Sequence, residues 1–143
     1  MEQFKKKFLW RTRTSDKSRW KNPRESIGER IGMRGGTDTC WQVVGPARSV
    51  WAKLGPEIKD YLENEKYGPA LSINIYMIGL SEATAAPEIL VCSTDIKARR
   101  DVRKAIEESG ILSDYPGIGV GEDDEPPDLL AQNDIDLDRK SVV

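Results

Sequence analysis

The sequence predicts an α+β fold, a small sheet of two to four short strands packed with about three helices. Three observations carry this expectation. Residues 73–78 and 88–92 have strand character, residues 93–109 have the period of a helix closed by Gly110, and 38% apolar against 32% charged residues suits one modest core. A chain of 143 residues is expected to hold one domain. That domain is placed at 38–120, between a flexible basic, aromatic-containing arm at 1–37 and a disordered acidic tail at 121–143.

Taken in order, Gly28, Gly32, Gly35 and Gly36 mark 28–39 as a loop. Trp41-Gln42-Val43-Val44 reads as a short strand ended by Gly45-Pro46. Ala47, Val50, Trp51 and Leu54 then recur at helical spacing. Pro56 is expected to end this helix and open a second one over 56–66, with Glu57 in its first turn. Ile58, Tyr61 and Leu62 form the inner stripe of the second helix, and Gly68-Pro69 stops it.

Leu71, Ile73, Ile75 and Met77 alternate to one face, the pattern of a strand. Glu88-Ile89-Leu90-Val91-Cys92 is a continuous run, the mark of a strand covered on both faces. Ser93 or Thr94 is expected to cap the next helix, with Asp95 in its first turn. Ala98, Val102, Ala105 and Ile106 face inward there, and Lys97, Arg100, Arg103 and Lys104 point largely outward. Gly110 is a left-handed cap, with Ile111 making the accompanying apolar contact. After the turn at Tyr115-Pro116-Gly117, Ile118 and Val120 offer a last edge strand.

Several motifs here have a familiar look. Tyr76-Met77-Ile78-Gly79, Ala85-x-Pro87-x-Ile89, Cys92, Arg99 or Arg100 followed by Arg103-x-Ala105, and Ser109-Gly110-Ile111-Leu112-x-x-Tyr115-Pro116-Gly117 together resemble a segment of uncharacterised proteins of filamentous fungi. The likeness covers residues 71–121. It implies a fungal source and a coherent structural unit, but no reaction, cofactor or catalytic residue.

The absence of histidine removes Ser-His-Asp and Cys-His sites, His-ligated metals and the commonest general base. Cys40 and Cys92 form no spacing pattern, which favours a reducing intracellular compartment, cytoplasmic or nuclear, over a disulfide or zinc scaffold. Residues 73–80, the longest apolar run, are too short to span a bilayer. No secretory leader is expected, because only Phe8-Leu9-Trp10 separates Lys5–Lys7 from Arg11.

Charge divides the chain. Residues 1–34 carry eleven Lys/Arg against four Asp/Glu, whereas residues 113–143 carry two against nine. Lys5, Lys6, Lys7, Arg11 and Arg13, interleaved with Trp10 and Trp20, combine phosphate-binding charge with stacking rings. Lys97, Arg100 and Lys104 offer a second basic face. Leu129-Leu130, Ile135 and Leu137 could form a short partner motif, and Ser141-Val142-Val143 fits the carboxyl terminus that PDZ-type grooves capture.

Cys92 is the one candidate nucleophile, sited between a strand and a helix amino terminus. Its six-residue spacing to Arg99 is one residue longer than a phosphatase loop needs. Gly117-x-Gly119-x-Gly121 has the look of a phosphate loop but leads into acids rather than a helix, and Glu122–Glu125 lack the spaced ligands of a calcium loop. No cofactor is implied. The resulting expectation is a non-catalytic interaction protein with an unknown protein partner. Nucleic-acid binding through residues 1–34 and thiol chemistry at Cys92 are the alternatives.

Overall fold

The computed structural model describes residues 19–65 and 71–127. Five strands form one sheet: β1 (Ile27–Arg34), β2 (Asp38–Val43), β3 (Ser72–Gly79), β4 (Ala86–Cys92) and β5 (Gly119–Asp123), lying side by side in that order. Helix α1 (Gly45–Glu65) joins β2 to β3, and α2 (Ile96–Ser109) joins β4 to β5. The first four strands pair antiparallel, while β5 runs parallel to β4. A parallel neighbour needs a crossover, and α2 provides it. The α+β class is as expected, with five strands in place of two to four and two α-helices in place of three. Among the described residues, no helix is long and apolar enough to cross a membrane. Lys5, Lys6, Lys7, Trp10, Arg11 and Arg13, together with the tail from residue 128, lie outside the described residues.

The additional strand is β1, which occupies much of the stretch read as a loop. Its register against β2 slips twice, between Ile27 and Arg30 and between Arg30 and Gly32. Bulges of this kind accept glycine and bend the strand. Glycine therefore marked an irregular strand here, and the turn itself is confined to residues 35–37.

The expected pair of helices is one continuous helix, with Pro56 inside it. Pro56 has no N–H for the carbonyl of Ala52, but both residues are exposed, so water can serve that carbonyl. The residue before a proline is normally pushed out of helical geometry by its Cβ, and Gly55 has none. The stripe also runs unbroken through the site, since Ala47, Leu54, Ile58 and Leu62 are all buried. Tertiary burial thus overrides the local stop signal. Replacing Pro56 with alanine is expected to stabilise the domain by about 1–3 kcal/mol by restoring the bond and relieving the ring clash. Calorimetry should show a higher thermal midpoint. A lower one would mean that the proline ring is itself required for packing.

Helix α2 starts later than expected. Asp95, rather than Ser93 or Thr94, is its cap, accepting from the Ala98 N–H at 3.1 Å. Gly110 closes it in the left-handed conformation, as the sequence predicts.

One face of the sheet carries both helices. Ile75, Met77, Ile89 and Val91 meet Leu54 and Ile58 of α1 and Val102 and Ile106 of α2. Burying each such side chain is worth about 1.5–3 kcal/mol. The other face holds a smaller cluster of Cys40, Tyr76, Ile78, Leu90 and Cys92, with Ile31 at its margin. All seven residues of β4 are buried, in line with a strand covered on both sides.

This second face is strongly curved. Arg34 ends β1 at one edge of the sheet, yet its Nε lies 3.3 Å from Asp123 on β5 at the other edge. Four strand spacings would separate these edges by about 19 Å in a flat sheet. The bulged β1 therefore folds across the inner face, and the two edges meet.

Candidate functional site

Where the edges meet, the guanidinium of Arg34 gathers three acceptors. Nη1 donates to Glu88 at 3.0 Å, Nε to Asp123, and Nη2 to the Glu122 carbonyl at 3.0 Å. Glu88 is only 5% exposed, so its charge requires such company. Gly121 makes the room, because a Cβ there would lie 2.6 Å from Glu88 Oε2 and 3.1 Å from Arg34 Nη2. That accounts for one glycine of the phosphate-loop look-alike: Gly119 and Gly121 lie within β5, beside an ion pair.

Cys40 lies in the same inner cluster and is fully buried. Burial pushes its thiol up to about 11, with Arg34 only partly opposing the effect. Cys92 ends β4 on the same face, 3% exposed. The register sets Cys40 opposite Ile78 and Cys92 opposite Ser72, about 20 Å apart along β3, and both remain thiols. Iodoacetamide at pH 8 is expected to label both far more slowly in the folded chain than in denaturant. Rapid native labelling of Cys92 would revive thiol chemistry.

A second ion cluster ties α2 to β5. Glu122 accepts from Arg99 at 3.0 Å and from Arg103 at 2.7 Å, Arg103 also reaches Glu107 at 2.8 Å, and Arg99 also pairs with Asp124. Arg103, expected to point largely outward, instead turns in to make these bonds. Burial works against the charge of Glu122, but the two arginines outweigh it and lower its pKa. The lowered value contributes stability at neutral pH that is lost as pH falls below the usual carboxylate range. Glu122→Gln is therefore expected to flatten the acid limb of a stability-against-pH curve while costing about 1–3 kcal/mol at pH 7. An unchanged acid limb would argue against this assignment.

Lys97, Arg100 and Lys104 occupy the exposed face of α2, and Lys97 pairs with Asp101 at 3.1 Å. Trp20, read as part of the basic arm, packs against the helix-side core and crowds the backbone at Gly117. The structure thus separates Trp20 from the exposed basic residues around it. Among the described residues, no cluster of cysteine and carboxylate side chains is placed to hold a metal ion.

One site had no counterpart in the sequence reading. The β2–β3 ladder runs from Thr39↔Gly79 to Trp41↔Met77 and stops there. Continued, it would set Val43 opposite Ile75. Instead the strands part, and a cleft of about 460 Å³ opens between them, backed by Arg48 and Trp51 of α1. Val44 N–H donates to Ser26 on the β1 side at 2.9 Å. By alternation, the N–H and carbonyl of Val43 point the other way, towards β3. Ile75 N–H is taken by the neighbouring Asn74 Oδ1 at 2.8 Å, a local substitute for a strand partner. Arg48 is exposed and makes no ion pair among the described residues. The visible signal was slight: a lone arginine on the first turn of a helix, and a strand beginning Ser-Ile-Asn.

Neither a protein-family model, nor a curated protein, nor a solved structure matches this chain.

Proposed function

We propose that this chain is a non-catalytic protein-interaction domain of a reducing intracellular compartment. The observation that supports it best is the cleft between β2 and β3. Its lining joins main-chain groups from two strand edges with a cation, and among the described residues includes neither a carboxylate nor a thiol. Such a surface suits recognition, since strand edges bond peptide backbone and neighbouring pockets select side chains. Elsewhere, Glu88, the most buried carboxylate among the described residues, is paired with Arg34, and both thiols are covered. Two thiols without a disulfide fit a reducing setting.

The test is a quantitative comparison of proteins retained by immobilised wild-type chain and by Arg48→Glu and Arg100→Glu/Lys104→Glu variants. A protein retained by wild type and lost on either variant supports the reading. Identical profiles on all three would count heavily against it. Nucleic-acid binding through residues 1–34 is the second reading, favoured by the exposure of Arg19, Lys21 and Arg30. It requires binding to single-stranded DNA that weakens steeply with salt and vanishes without those residues.

A further inference from the structure

We infer that the cleft between β2 and β3 takes an extended peptide segment bearing a carboxylate, which Arg48 meets while the strand edges bond its backbone. The inference rests on the interaction reading above and names the chemistry of the partner.

Three independent features of the cleft converge on this occupant. The first is the stopped ladder. Val43 directs its N–H and carbonyl into the gap, and the same alternation on β3 directs the main-chain groups of Ile73 and Ile75 towards it, because Met77 faces β2 at the last paired position. A strand edge facing a gap is a template for another extended chain. The second is charge. Arg48 is the one charged side chain lining the cleft, and it has no acidic partner among the described residues. A guanidinium on the wall of a cleft binds a carboxylate with two parallel bonds. The third is the mixture around it, with the amides of Gln42 and Asn74 beside the half-buried ring of Trp51. Apolar walls with a few placed polar groups are the usual lining of a binding site, and 460 Å³ lies within the usual size range. Pro56 adds a further acceptor, since it leaves the carbonyl of Ala52, another lining residue, without its helical donor.

Ile75 N–H indicates how the site opens. Its bond to Asn74 Oδ1 is made within a single dipeptide. An incoming peptide carbonyl can replace that oxygen, which releases the Asn74 amide to contact the peptide.

The test is titration of the ¹⁵N-labelled full chain with the acetylated pentapeptide Val-Thr-Val-Thr-Asp, chosen for its extended preference. Amide shifts are expected at Val43, Ile73 and Ile75. Affinity should fall about tenfold when the peptide's aspartate is replaced by asparagine, and again in Arg48→Gln, whose exposed helical position tolerates glutamine. Equal binding of the two peptides, or shifts confined to other surfaces, would overturn the proposal. Acetate alone producing the same shifts would reassign the cleft to small carboxylates. Shifts at these amides on concentrating the chain without peptide would reassign it to a second copy of itself. Peptide failure combined with retained proteins lost only in Arg100→Glu/Lys104→Glu would refute the cleft assignment and leave the interaction reading standing.

Discussion

Replacing Arg34 with methionine is expected to cost about 3–5 kcal/mol, seen as a large fall in denaturant midpoint. The side chain of Glu88 is only 6% exposed, and that of Arg34 is 26% exposed. Methionine keeps much of arginine's aliphatic volume but removes this cation from the buried carboxylate, so less of its desolvation is offset. A small domain has about 5–15 kcal/mol of stability in all, so the variant should lie close to unfolding. Adding Glu88→Gln should recover more than half the loss, because it removes the buried charge that Arg34 no longer offsets. Arg34→Lys should fall between, since an ammonium cannot span Glu88, Asp123 and the Glu122 carbonyl as the fork does. A cost under about 1 kcal/mol for Arg34→Met would sink this account.

The same arginine shows where the sequence was legible and where it was not. β4 and the cap at Gly110 could be read directly, because a buried run and a left-handed glycine leave local signatures. β1 could not, since its glycines serve bulges whose purpose is tertiary: they carry Arg34 across the sheet to β5. Gly55-Pro56 misled for a related reason, as only packing shows that the missing bond faces water and that the apolar stripe continues. Helical spacing points Arg103 outward, because spacing cannot foresee a carboxylate arriving on the neighbouring strand. The cleft was invisible because it depends on where a ladder stops, and periodicity within β2 and β3 is unchanged at that point.

Charge along the chain also acquires a structural meaning. Arg34 belongs to the basic block and Asp123 to the acidic one, and they are 89 residues apart in sequence. Curling of the sheet brings them together. Glu122 and Asp124 meet Arg99 and Arg103 at the same edge. Glu122, Asp123 and Asp124 of the acidic block are thus part of the fold, holding down a five-residue edge strand that pairs with β4 among the described residues.

The second large effect is expected at the start of α1. Gly45 has φ +55, and a Cβ there would lie 2.3 Å from the carbonyl oxygen of Glu25. Gly45→Ala therefore combines a left-handed strain of about 1–2 kcal/mol with an overlap against backbone, worth about 1–3 kcal/mol more. The displaced segment also carries Ser26, which is fully buried and whose Oγ accepts from Ala47 N–H at 3.0 Å, so the helix cap is loosened as well. A total of about 3–5 kcal/mol follows from these terms. Gly110→Ala separates them, because Gly110 has φ +80 but nothing within 4 Å of its missing Cβ. It should cost only the conformational share, about 1 kcal/mol. Equal losses for the two variants in equilibrium denaturation would show that Glu25 yields freely. A clearly larger loss at position 45 would establish that the approach of the Glu25 carbonyl to a bare glycine Cα is what seats α1 on the sheet.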